Sequence, residues 1–380
     1  MRTRRCVDGW INLHKPAGIT SADAVARVKR LIRPEKIGHA GTLDPLATGM
    51  LPLALGEATK CVPLLMDAKK TYHFSVTFGE RRTTDDAEGD VVATSDVVPT
   101  AEQIRAILPE FTGEILQTPP AYSAIKQGGQ RAYALARAGQ EVVLTPRKVI
   151  VHALELVTAE YHSFPNLPLE GGGRATTESG GAGGGEVVSY SAYSHPHGAG
   201  FAALALARPP LKGEQGYKVE QSVTAHFIAT VGKGTYIRSL GRDIAQALGS
   251  EAYISRLHRA AVGAFHETNA ISLDFLEKSA HSPADFEGGS PSWLLPTHAA
   301  LDDIPAVTIG GSEWQKLRHG HGFTLSTPVS PAAMVGVFYR DVLVALGESD
   351  GAMIRPKRLL NVIHEPPMSH GEKHDDYRRA

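Results

Sequence analysis

The chain has 380 residues, 42% of them hydrophobic and 21% charged, with a net charge of −1. That length exceeds one typical domain and supplies enough apolar material for a sizeable core, which predicts two domains and excludes a disordered or fibrous chain. Cys6 and Cys61 give neither a disulfide framework nor metal-ligand spacing, and no apolar run is long enough for a signal sequence or a bilayer span, so a soluble cytoplasmic protein is expected.

Residues 11–16 read as a short strand running into a Pro16-Ala17-Gly18 turn. Thr20 and Asp23 have capping-box spacing, opening a helix with Val25, Val28, Leu31 and Ile32 on its apolar face and Pro34 as its stop. Between Gly38 and Gly56, Asp44 is the one carboxylate, set among Leu43, Pro45, Leu46, Leu51, Leu53 and Leu55. A lone acid there is costly to bury unless a cation pairs with it. Gly41 and Gly49 mark turns that resist a β-carbon, and Pro45 fixes the backbone just after the acid. Taken alone, such an aspartate also suits a turn or a helix cap.

Residues 72–78 alternate strictly, with Tyr72, Phe74, Val76 and Phe78 on one side of a strand. Thr100 and Gln103 cap a further helix, buried through Ile104, Ile107 and Leu108. From Gln117, a Pro119-Pro120 root leads to Tyr122, Lys126, Arg131, Tyr133 and Arg137. Bases interleaved with aromatics suit a clamp over nucleic acid, and a surface loop accounts for them equally. Residues 171–185 carry eight glycines in fifteen positions, within a stretch (165–217) that predicts a disordered insertion between strands near 152–164 and 218–231.

Residues 226–231 form the next strand, Gly232-Lys233-Gly234 a turn, and Ile237, Leu240, Ile244 and Leu248 the stripe of a helix ended by Gly249. Arg238 falls in its first turn, behind an entry that could hold an anion. It is not a P-loop, because Phe227 stands where the first glycine should be, and GxGxxG, HExxH and GxSxG are absent too. Beyond residue 290, short strands at 334–339, 342–346 and 352–355 predict a small β-rich C-terminal domain, with a polar tail from 364. Strands and helices interleave through long connections, which favours a mixed α/β (α+β) sheet over a doubly wound one.

Charge is unevenly spread. Residues 1–72 hold 12 Lys/Arg against 6 Asp/Glu, residues 119–150 hold 5 against 1, and residues 226–262 hold 5 against 2. Brought to one face, these segments would form the footprint of a phosphate-backbone binder; kept apart, they are ordinary solvated surfaces.

Three segments, GHAGTLDPLATGMLPLALGEATK, QTPPAYSAIKQGGQRAYALARAG and GKGTYIRSLGRDIAQALGSEAYISRLHRAAVG, resemble the TruB family of bacterial tRNA pseudouridine synthases. The resemblance covers roughly residues 8–164 and 218–275, in order and with approximate spacing kept. It implies a catalytic domain over 1–290, built on a central mixed, largely antiparallel sheet with a thumb-like RNA clamp at 117–139. It further implies a PUA-like RNA-binding domain at 291–363, resting on a weaker match. The activity implied is isomerisation of uridine 55 in the T-arm of tRNA, without cofactor, metal, membrane or obligate protein partner, by a monomer.

By position, Asp44 matches the family's catalytic aspartate, Tyr72 the tyrosine that stacks on the target base, and Arg238 the arginine that pairs with the aspartate. Leu257 matches a leucine that walls the pocket, and His39 a histidine that contacts the T-loop and helps hold the base out of its stack. Lys126, Arg131, Arg137 and Lys233 would contact the RNA backbone. The glycine-rich insertion departs from the family pattern but falls between elements. Two other readings stay open: a tRNA-folding chaperone with isomerisation secondary, and a guide-dependent relative that needs protein partners.

Overall fold

The computed structural model describes residues 6–123, 125–127, 130–138, 140, 142–164, 220–279, 291–301, 304–325 and 327–361. The predicted insertion at 165–217 and the tail from 364 lie outside the described residues. The chain divides into a unit of residues 1–162 and 222–380 and a second of 163–221.

An eleven-stranded sheet runs through the first unit. Its spatial order is Ile271–Ser272, Gly9–Lys15, Thr48–Leu55, Ala252–Val262, Lys70–Phe78, Glu220–Val231, Arg147–Phe164 and Gly113–Gln117, with three short strands pairing off this path. Antiparallel pairs dominate, but Ala252–Val262 meets Thr48–Leu55 in parallel through just two residue pairs, His258 with Thr48 and Arg259 with Gly49. The sheet is therefore mixed and largely antiparallel, as expected.

Strand alternation sorts the side chains onto two faces. Ile11, Leu13, Leu51, Leu53, Phe74, Val76, Phe78 and Phe227 point to one face, where Ala24, Val28, Ile32, Ile104, Ile237, Leu240 and Ile244 cover them in a single core cluster. The covering helices begin as the sequence predicts. Thr20 caps Ser21–Ile32 and Thr100 caps Ala101–Ile107, each with both capping-box hydrogen bonds. The first helix buries Ala24, Val28 and Ile32, leaving the expected Val25 and Leu31 at the margin of the core. Ile237–Ala247 lies against the sheet at Gly241, where a β-carbon would sit 2.8 Å from Ile254 Cδ1 and push that side chain aside.

The other face splits in two. At one end Trp10, Met50 and Ala54 join Cys61, Leu65 and Phe265, and Leu343, Leu346 and Leu360 pack into the same cluster. Leu343 and Leu346 belong to a separate five-stranded sheet, ordered Ala306–Thr308, Ala332–Tyr339, Val342–Ser349, Met353–Leu359 and Phe323–Thr324, and Leu360 directly follows one of its strands. Its hairpin turns at Arg340-Asp341, both left-handed with φ of 50° and 64°. Further along, the face is polar: Thr71 meets Thr230, Ser75 meets His226, and Thr77 meets Thr224.

Candidate active site

Asp44 lies in a loop fastened at nearly every residue. Ser21 Oγ, at the start of the first helix, accepts from the Leu43 amide at 2.8 Å and donates to the Leu43 carbonyl at 3.0 Å. The Gly18 amide donates to the Pro45 carbonyl at 2.9 Å, and the Ala47 amide to the Asp44 carbonyl at 3.1 Å. Lys15, fully buried, donates from Nζ to the carbonyls of Pro16, Ile19 and Pro45. Burial pushes its ammonium down to about 8, with the charge of Asp44 pulling the other way. Arg259, also buried, donates to the Met50, Gly41 and Thr42 carbonyls at 2.8, 3.0 and 3.3 Å. Gly49 has φ of 103°, and a β-carbon there would lie 2.2 Å from the Arg259 carbonyl oxygen. The sequence-based expectation that this glycine resists substitution has that contact as its cause.

The loop presents the Asp44 carboxylate to Arg238. Oδ2 lies 3.0 Å from Nε, with the Asp44 side chain 35% exposed and that of Arg238 only 5%. The acid is reachable while its cation is not. The other guanidinium nitrogens are also engaged: Nη1 donates to the Thr84 carbonyl and Nη2 to the Tyr122 carbonyl, each at 2.9 Å. A second carboxylate, buried Asp86, stands 3.7 Å from Nε and accepts from Thr84 Oγ1 and the Glu88 amide. Beside it, Asp85 adopts φ of 57° and pairs with Arg242 at 2.8 Å. Burial raises the Asp85 carboxyl against the pull of Arg242 and Arg238. Burial, then Asp86 and Asp44, raises Glu88.

The same helix holds the root of the segment expected to clamp RNA. Gln117 exchanges hydrogen bonds with the Tyr236 amide and carbonyl, and both Ser239 and Arg242 donate to the Thr118 carbonyl at 2.8 Å. The free amide that an anion site at this helix entry would need is thus taken at Tyr236. Lys233 pairs with Asp67 at 2.6 Å on the surface.

Tyr72, half-buried, stands on the helix-covered face between Ala229 and Arg259 of the neighbouring strands. Leu257, buried, lies opposite Phe74 on that face. His39 is half-buried on Ile37–His39, with burial first and then the Arg259 charge lowering its proton affinity. Lys126 and Arg131 face each other in a two-stranded ladder and Arg137 ends the helix Ala132–Arg137; their side chains lie outside the described residues.

Thus Asp44 and Arg238 are in direct contact. Sequence reasoning missed Lys15, Asp86 and Arg259. The signal for Asp86 lies in Thr83-Thr84-Asp85-Asp86, which supplies the acids that Arg238 and Arg242 face.

Among solved structures, the fold is similar to that of a chain in an H/ACA RNP bound to a substrate RNA containing 2′-deoxyuridine. The match has a TM-score of 0.58 at 22% identity and covers 93% of this chain and 84% of that one. An archaeal box H/ACA Nop10–Cbf5 complex gives 0.57 at 23%, covering 93% and 85%. The class of fold is therefore shared with Cbf5 complexes. The family model for the N-terminal domain of TruB family pseudouridylate synthases matches residues 29–169. The tRNA pseudouridine synthase B of Nitrobacter winogradskyi is 41% identical over 95% of this chain and 85% of its own length. That of Gluconacetobacter diazotrophicus is 42% identical over 84% of each. The chain belongs to the TruB family of pseudouridylate synthases.

Proposed function

We propose that this protein isomerises uridine 55 in the T-loop of tRNA to pseudouridine, working alone on RNA. The contact between Asp44 and Arg238, at the positions the family resemblance assigns, carries this reading. In the reaction the N1–C1′ bond breaks, the uracil turns, and C5 joins C1′; C5 loses a proton and N1 gains one, so no second substrate is consumed. Asp44 supplies the carboxylate, as nucleophile or as base at the sugar. Arg238 aims it, since the guanidinium is itself fixed by two carbonyls. Tyr72 stacks on the everted uracil and carries the C5 proton away. Eversion from a folded loop costs roughly a few kcal/mol. His39, Lys126, Arg131, Arg137 and Lys233 offset that cost by holding the RNA, while Leu257 walls the base.

The domain assignment belongs to the same proposal: residues 1–290 catalyse, with 117–139 as the clamp, and 291–363 form a PUA-like RNA-binding domain. No helix among the described residues is long and apolar enough to cross a membrane.

The test is incubation of the purified full chain with an unmodified tRNA transcript, followed by mass spectrometry and chemical mapping of the product. Pseudouridine at position 55 is the expected result. Tight binding without product would favour the folding-chaperone reading, and product only on addition of protein partners or a guide RNA would favour the guide-dependent one.

A further inference from the structure

The loop that carries Asp44 is fastened before the acid by Ser21 on Leu43 and Arg259 on Gly41 and Thr42, and after it by Lys15 on Pro45 and Arg259 on Met50. Its exit at Thr48 opens a strand that pairs with Gly9–Lys15 from Gly49 to Leu55 on one side, but with Ala252–Val262 on the other through only two residue pairs. A chain of side chains reinforces that weak joint. Thr48 Oγ1 lies 2.8 Å from His258 Nδ1, and His258 Nε2 lies 2.8 Å from Glu267 Oε2. An ionised carboxylate only accepts, so Glu267 sets the tautomer: Nε2 carries the proton, Nδ1 is bare, and the Thr48 hydroxyl donates to it. His258 also sits in sequence between Leu257 and Arg259, on the opposite face of the strand from both. It therefore couples the exit of the Asp44 loop to the strand that bears the pocket-wall leucine and the loop-clamping arginine.

We propose that His258, oriented by Glu267, is a positioning residue for the Asp44 loop, acting through the Thr48 hydroxyl. The inference rests on reading Asp44 as the reacting carboxylate. Among the fastenings of this loop, it alone is an imidazole. His14, on Gly9–Lys15, approaches the His258 ring to 5.7 Å between centroids, and His73, on Lys70–Phe78, to 6.1 Å. Thr48 and Glu267 face it from the remaining sides; Arg256 lies two residues away on its own strand and Arg259 on the other face.

Two substitutions separate the arms of the imidazole. In His258→Asn the side-chain oxygen takes the place of Nδ1 and still accepts from Thr48. In His258→Gln the amide reaches towards Glu267 and leaves Thr48 unpartnered. The experiment measures kcat and KM for an unmodified tRNA, with thermal melting of each variant. Thr48→Val and His258→Gln should each lower kcat about five- to tenfold, the worth of one aligned hydrogen bond, with KM within about twofold. His258→Asn should return most of the turnover.

The proposal is overturned if Thr48→Val and His258→Gln keep wild-type kcat, if KM changes instead of kcat, or if His258→Asn is as impaired as His258→Gln. Should the histidine variants fail to fold, Thr48→Val against Thr48→Ser decides: only the former should lose turnover, and equal rates would refute the idea. Wild-type protein that makes no pseudouridine would instead sink the underlying reading of Asp44, which keeps the two failures distinct.

Discussion

Two buried arginines flank the Asp44 loop and do different work. Arg259 spends its donors on the carbonyls of Gly41, Thr42 and Met50, with no carboxylate among its described partners. Arg238 also holds two carbonyls, but it adds Asp44 at 3.0 Å and Asp86 at 3.7 Å. The first arrangement fixes backbone shape. The second joins a fixed cation to an acid that solvent, and hence substrate, can reach. A guanidinium desolvated against carbonyls alone is a structural clamp, whereas one that also faces a half-open carboxylate is a device for aiming charge.

The sharpest break in that comparison is Asp44→Asn, which should abolish pseudouridine formation while tRNA affinity in a filter-binding assay stays near wild type. Substantial product would remove Asp44 from the chemistry. Next comes Arg238→Lys: a compact ammonium cannot reach Asp44 and both carbonyls together, so kcat should fall on the order of a hundredfold, with a smaller loss of stability than Arg259→Met from the carbonyl left without its donor. Arg259→Met should show the reverse balance. Three carbonyls lose their donor, costing about 3 kcal/mol of stability, seen as a lower urea midpoint; an unchanged midpoint would disprove the clamp role. Asp86→Asn keeps shape but removes a charge near Arg238, so a drop in kcat of about tenfold is expected, smaller than for Arg238 itself.

The smallest effect involves Lys15. Its folded value of about 8 lies below the ordinary 10.5, so between these two values the unfolded chain holds the extra proton. Its contribution to stability therefore rises with pH across that window, and Lys15→Met should flatten the corresponding slope of unfolding free energy against pH. A slope identical to wild type would contradict the assignment.

Much of this architecture could be read directly from residues. The Thr20–Asp23 and Thr100–Gln103 caps, the strict alternation from Tyr72 to Phe78, and the Arg340-Asp341 turn depend on local chemistry, and the structure shows each where local rules put it. The pairing of Asp44 with Arg238 spans 194 positions and was legible only through resemblance to a family, since no local rule links a loop acid to a distant helix. Lys15, Asp86 and Arg259 escaped for the same reason. Each looks like an ordinary surface charge until the fold buries it, and burial is a property of the assembled sheet. His258 is harder still, because a histidine in an alternating strand carries no mark of the threonine it will meet.

The ties to Thr118 and Tyr122 carry one more consequence. Arg238 grips Asp44 with Nε and the Tyr122 carbonyl with Nη2, while Ser239 and Arg242 of the same helix hold Thr118. A rigid planar group cannot tilt towards one partner without tilting away from the other. A shift of the backbone at Tyr122 therefore bears on the same guanidinium that Asp44 faces.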